Sequence, residues 1–166
     1  MTKQMEKVNA AGREAPLGDE TTKKLTAAVE ALIPQSLDNI IRSNRDKAQL
    51  RLTTDEEIFK LHQVIAPGEP KDVIDDWNLI TLYQPDLDFS QIFLLGDIRR
   101  NGRQRITSVV TGVDLDKQLL VTKSGTLYQM GTPKNGDPDV NQLYMVCAAF
   151  HSWGFGKMLG VPHFFY

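Results

Sequence analysis

Four arginines fall within seven residues of the stretch IRRNGRQR (98–105): Arg99, Arg100, Arg103 and Arg105. A guanidinium is a planar fork of five N–H donors, a shape that suits carboxylates and phosphates. Asn101-Gly102 at the centre is the residue pair of a type I′ turn, which needs positive φ at both positions. That turn predicts Arg100 opposite Arg103 and Ile98 opposite Arg105. Strand alternation then puts Arg100, Arg103 and Arg105 on one face and Arg99 on the other. Like charges facing each other cost a hairpin about 0.2–1 kcal/mol, so stability alone does not favour the arrangement. A solvated tip that deters sheet-to-sheet aggregation explains the arginines as readily as a binding role does. Within the binding role an acidic protein partner ranks ahead of a phosphate backbone, because no aromatic residue inside the hairpin offers a base a stacking surface.

An opposite pole precedes the arginines. Between Glu69 and Phe89 lie Glu69, Asp72, Asp75, Asp76, Asp86 and Asp88 against one lysine. With Trp77 beside them, Asp72, Asp75 and Asp76 are candidate partner-binding residues, since Trp is enriched at energetic hot spots of interfaces. The plainer reading is a pair of solvated loops. Calcium is excluded as a ligand of EF-hand type, because the loop spacing with its central Gly and terminal Glu is missing.

Nucleophile and metal chemistry have one candidate constellation. Cys147 and His151 are four residues apart, hence on one face of a helix, and His163 follows in the tail. A structural zinc site needs four ligands in a recognisable spacing, and these three residues do not supply it. A Cys/His pair could act as an activated nucleophile. Against that, Cys147 lies in the apolar run MVCAAF, where a buried and inert thiol is expected. His62 reads as a boundary residue of its helix. The glycines of TKSGT and WGFGKMLG lack the strand–loop–helix setting of a phosphate cradle, and no other catalytic motif occurs. No cofactor and no metal is expected.

The elements that must position these residues follow from hydrophobic period. Residues 1–19 are polar, with Gly12, Pro16 and Gly18, and read as a mobile arm. From Thr21, Leu25, Ala28, Val29, Leu32 and Ile33 form a helical stripe that Pro34 stops. Ser36 caps a second predicted helix reaching Ala48. Thr54 with Glu57 is a capping box opening a third, through about Ile65. Lys71 to Trp77 would add a short turn. The period then changes to that of strands at 78–83, 90–98, 105–113, 117–122 and 126–131, joined by short turn-forming links that favour antiparallel hairpins. Asp137 and Pro138 open a last helix, to Gly154, that is apolar nearly all round and so expected to be buried. The tail KMLGVPHFFY should pack down. The predicted class is α+β: N-terminal helices, a curled antiparallel meander of four to five strands, and a buried C-terminal helix. A single domain is expected over 20–166, helical to residue 77 and sheet with helix from 78.

Composition narrows the function classes. In 166 residues, 41% hydrophobic and with mean hydropathy −0.30, there is material for a real core. A net charge of −2 and a pI near 5.9 argue against a protein that coats nucleic acid by bulk electrostatics. The single cysteine, Cys147, rules out an internal disulfide. With no apolar leader and no run of eighteen apolar residues, the expectation is a cytoplasmic protein with no membrane partner.

LLGDI, ITSVV and VTKSGTLYQMG (within 94–131) together resemble small bacterial proteins carried by phages and mobile elements, with a Gly-Asp strand, a Thr-Ser strand and a T-x-S-x-x-Y strand. The resemblance implies a setting of inter-bacterial conflict and carries over no catalytic residue. The expected function is a non-enzymatic protein-binding module that neutralises or modulates a partner, of the toxin-immunity or phage-inhibitor kind. A nucleic-acid binder acting through the same hairpin is the alternative. A small enzyme using Cys147, His151 or His163 stands third.

Overall fold

The computed structural model describes residues 16–166. The chain divides between Ile33 and Pro34 into two compact units. In the first, helix α1 (Pro16–Leu32) opens with Pro16, whose fixed φ suits a first helical position. The predicted arm falls largely outside the described residues, and residues 16–19 belong to α1 instead. The predicted stripe is helical from Leu25 to Leu32, with Ile33 just past the helix end and Leu25, Val29 and Leu32 exposed.

The second unit is α+β, as the change of period requires. Its helices are α2 (Leu37–Ile40), α3 (Asp55–Leu61) and α4 (Val140–Phe150), and its strands are β1 (Gln49–Leu52), β2 (Val73–Gln84), β3 (Phe89–Ile98), β4 (Gln104–Ile106), β5 (Val110–Asp114), β6 (Leu119–Thr122) and β7 (Leu127–Met130). Both sequence-read caps on the N-terminal side exist. Ser36 accepts from the Asn39 amide, and Thr54 and Glu57 form a reciprocal box.

Several elements differ from expectation. The second helix ends at Ile40, and residues 49–52 pair with β2 as a strand. Alternation in QLRL lets Leu50 enter the core, in a segment that no expected element covered. The third helix ends at Leu61, where the Gln63 amide turns to the Val113 carbonyl. Residues 73–77 are strand, so the region to residue 77 is not simply helical. The capping residue of the last helix is Asp139, which forms its box with Gln142, in place of Asp137. That helix buries Gln142, Leu143, Val146, Cys147 and Phe150, and ends in a π turn with Gly154 at φ 92°.

The sheet has seven strands in the order β4-β3-β2-β7-β6-β5, with β1 pairing β2 off this path. It is mixed, because β2 and β7 pair in parallel through Val73–Gln129 and Ile74–Met130. Two antiparallel meanders, β2-β3-β4 and β5-β6-β7, are thus joined side by side. Curling is a geometric necessity. β4 and β5 stand at opposite ends of the order, yet only residues 107–109 separate them. Six flat strands would span about 24 Å. Four residue steps reach about 14 Å at most. The sheet therefore wraps into a barrel-like body.

A bulge sets the two faces of β2. Asp75 pairs with Asp97 and Asn78 with Leu95, so Asp76 and Trp77 oppose Gly96 alone. The extra residue shifts the inward phase from Ile74 to Leu79, and both join the interior cluster of Leu94, Ile98, Leu120, Tyr128 and Met130. On the outer face Ile80, Leu82, Phe93 and Leu95 pack against α2 and α4. A Cβ at Gly96 would lie 2.5 Å from Ile74 and 2.7 Å from the Asp75 carbonyl, so the bulge leaves room only for glycine there.

Candidate functional site

The arginine-rich turn is wider than a type I′ hairpin. β3 and β4 pair Gly96 with Arg105 and Asp97 with Gln104, and Ile98 donates to the Arg103 carbonyl. Four residues, 99–102, make the turn. The Asn101 and Gly102 amides both reach back to the Ile98 carbonyl, and of the two only Gly102 has positive φ (71°). Arg100 therefore does not face Arg103, and Ile98 does not face Arg105. The like-charge opposition foreseen in the hairpin is absent.

Longer-range pairing explains the wider turn. Arg99 donates from Nε and Nη2 to the two oxygens of Asp75, both at 2.8 Å. Arg100 donates from Nε to Asp72 Oδ1 at 2.9 Å. The Arg99 amide also bonds the Val73 carbonyl at 2.9 Å, so backbone and side chains together fasten the turn to the start of β2. The basic and acidic poles of the sequence are one constellation.

The two pairs differ in setting. Arg99 and the Thr132 amide hold the Asp75 carboxyl down to about 2, against the small opposing effect of burial. Exposed pairs of this kind contribute about 0–1 kcal/mol. Asp72 is another matter: its side chain is 2% exposed while that of Arg100 is 70% exposed. A carboxylate out of water needs a partner, and Arg100 is its hydrogen-bonding partner among the described side chains. The Arg100 guanidinium is thereby anchored through Nε, and its Nη1 and Nη2 make no hydrogen bond among the described residues on a side chain that is 70% exposed.

The remaining sequence candidates disperse. Arg103 is exposed, with no side-chain partner among the described residues. Arg105 leaves the group, because it lies opposite inward-facing Gly96; its Nη2 donates to the Tyr128 hydroxyl at 3.0 Å and its guanidinium sits 5.9 Å from that ring centre. Trp77 is half-buried in the bulge, its Nε1 donating to the Gly131 carbonyl at 2.9 Å. Asp76 is exposed at φ 46°, and its carbonyl accepts from Gln142. Asp86 and Asp88 sit at the far turn of the β2–β3 hairpin.

Cys147 is fully buried, and desolvation pushes its thiol up to about 12. His151 and His163 do come together, rings stacked with centres 4.2 Å apart, but both are exposed. A thiol held neutral at that depth is not an activated nucleophile. Among the described residues no group of three His, Cys, Asp or Glu side chains could hold a metal ion. His62 is indeed a boundary residue, its Nδ1 accepting from the Leu115 amide.

Two features escaped the sequence. Asp97, at the bulge, has its pKa raised, first by burial and then by Asp139 and Asp76, against a hydrogen bond from Gln142. Nothing in the local pattern marks it, since its neighbours come from distant segments. The other is Gly131: a Cβ there would collide with Asp75 Oδ1 and lie 2.9 Å from Arg99 Nη2. Beside the pairs, residues 69–73 and Arg99 with Arg100 enclose a cleft of about 470 Å³.

Comparison with known proteins returned no matching family model, no matching characterised protein and no matching solved structure. Among the described residues no helix is long and apolar enough to cross a membrane.

Proposed function

We propose that this protein is a non-enzymatic binding module that neutralises or modulates a protein partner, with the turn 99–103 as its contact surface. One observation carries the reading. Arg100 is anchored through Nε to a nearly buried carboxylate, and its other edge is left free and exposed. An arginine already held in position loses less side-chain freedom on binding, so more of its hydrogen-bond energy appears as affinity. Arg103 adds an uncommitted charge that would steer an acidic partner. The raised thiol of Cys147 removes support from the enzyme reading.

The test neutralises the turn without stranding a carboxylate. Arg99→Gln, Arg100→Gln and Arg103→Gln are combined with Asp72→Asn and Asp75→Asn, and folding is checked by circular dichroism. In pull-downs from nuclease-treated lysate of the organism that makes the protein, a partner retained by the wild type should be lost by this variant. Purified, that partner should bind the wild type with a modest salt dependence. An identical set of partners for both proteins would refute the role of the turn. Retention of nucleic acid, with log affinity falling by about one unit of slope per phosphate contact against log salt, would replace a protein partner by a phosphate backbone.

A further inference from the structure

We infer that the cleft beside the turn receives a carboxylate side chain from an acidic segment of the partner, gripped by the outer edge of Arg100; this rests on the protein-binding reading above. Three cationic side chains, Lys71, Arg99 and Arg100, belong to residues that line the cleft. Lys71 is exposed and has no side-chain partner among the described residues. Arg99 keeps Nη1 and Arg100 keeps Nη1 and Nη2 outside their pairs with Asp75 and Asp72. Two parallel N–H groups on a planar edge match the two oxygens of a carboxylate. A single such group fits the Arg100 edge, and the Lys71 ammonium at the same cleft adds a second favourable charge.

The same walls disfavour a polyanion. Glu69 and Asp72 line the cleft with Lys71, and Asp75 and Asp76 follow in the next strand. A nucleic-acid backbone would bring successive phosphates against these carboxylates. A peptide can bring one acidic side chain to the arginines and present neutral or basic groups to Glu69. The mixed charge of the cleft thus selects a peptide with spaced acids.

The fork and the bulk charge are separable by two variants. Arg100→Lys keeps the charge but cannot make the two parallel bonds. Arg103→Gln removes a charge from the turn but touches no wall of the cleft. The probe is an acetylated and amidated Gly-Glu-Gly-Glu-Gly peptide, titrated into ¹⁵N-labelled protein while the arginine Nε–H signals are followed by NMR. Arg100 Nε should shift saturably, with a dissociation constant of about 1 mM as expected for one small contact. Read from the Arg99 Nε signal and the backbone amides of Glu69, Lys71, Asp72 and Val73, which remain in the variant, Arg100→Lys should weaken binding about tenfold, the loss of one charge-assisted hydrogen bond. Arg103→Gln should change it less than about twofold, the effect of an exposed charge at a distance. Lys71→Ala, which breaks no pair within the protein, should weaken it a few-fold.

Equal or larger loss in Arg103→Gln would show diffuse attraction and overturn the cleft. So would tighter binding of inorganic phosphate or of an oligothymidylate at Arg100, or the absence of any saturable shift. If the peptide fails while the neutralised turn still loses its partner, the protein-binding reading stands and the cleft falls alone.

Discussion

Arg99 and Asp75 meet through two parallel hydrogen bonds of 2.8 Å, and the backbone passing beside them at residue 131 leaves no space for a side chain. The pair is built into the join between the two meanders, since the Gly131 amide bonds the Ile74 carbonyl and the Thr132 amide bonds Asp75. Gly131→Ala should therefore open the pair. Its cost should be about 1–3 kcal/mol, as for other overpacked sites, read from the urea midpoint. In the same variant the Asp75 carboxyl, followed by NMR, should rise from about 2 toward ordinary values. An unchanged Asp75 titration would show that the close approach is relieved elsewhere.

Acid should act on stability in two opposite directions. Asp75 is held at about 2 by Arg99 and Thr132. Glu57 reaches about 2 although burial opposes it, through Arg51 and its capping bonds to Thr54. Both are depressed, so their contribution is present above the unfolded value, near 4, and is lost as pH falls toward about 2. Asp97 is raised, so its burden on the folded state eases as pH falls. Asp75→Asn should flatten the acid limb of a stability–pH curve. Asp97→Asn should raise stability at neutral pH and lose that advantage in acid. A parallel curve for Asp75→Asn would remove the pair from the account of acid unfolding.

The Asp72–Arg100 pair should show strong coupling. Arg100→Gln leaves a carboxylate with 2% exposure unpaired and should cost about 1–3 kcal/mol. Asp72→Asn in that background should recover much of the loss, because the stranded charge is gone. A double-mutant cycle from urea unfolding should give an interaction above about 0.5 kcal/mol. Simple additivity would mean that water reaches Asp72, and the anchoring of Arg100 would lose its basis.

Cys147 should resist modification in the native protein. Full burial and a thiol pushed up to about 12 leave almost no accessible thiolate at neutral pH. A thiol reagent should label it only at the rate of unfolding, so urea should accelerate labelling steeply. Rapid labelling without denaturant would place a mobile, reactive thiol at the C-terminal helix and revive the enzyme reading.

Local chemistry was legible in the sequence wherever the interacting groups are neighbours along the chain. The capping box of Thr54 and Glu57, the stripe of α1, the change to a strand period and the burial of Cys147 each depend on residues a few positions apart. The curled α+β architecture follows from those periods and from short links. The site depended on distances the sequence does not carry. Asn101-Gly102 suggested a two-residue turn, but Arg99 and Arg100 find Asp75 and Asp72 more than twenty residues away, and the wider turn permits both pairs. The parallel β2–β7 join, the bulge at Asp76 and Trp77 that resets the inward face, and the departure of Arg105 toward Tyr128 join residues distant along the chain. Curling is imposed by three residues, 107–109, linking the two ends of a six-strand path, and strand order is a property of the folded chain. The sequence by itself thus determined the change of period and the caps set by neighbours along the chain, while only the tertiary structure decided which faces are buried, which charges meet and which donors of Arg100 are left unbonded.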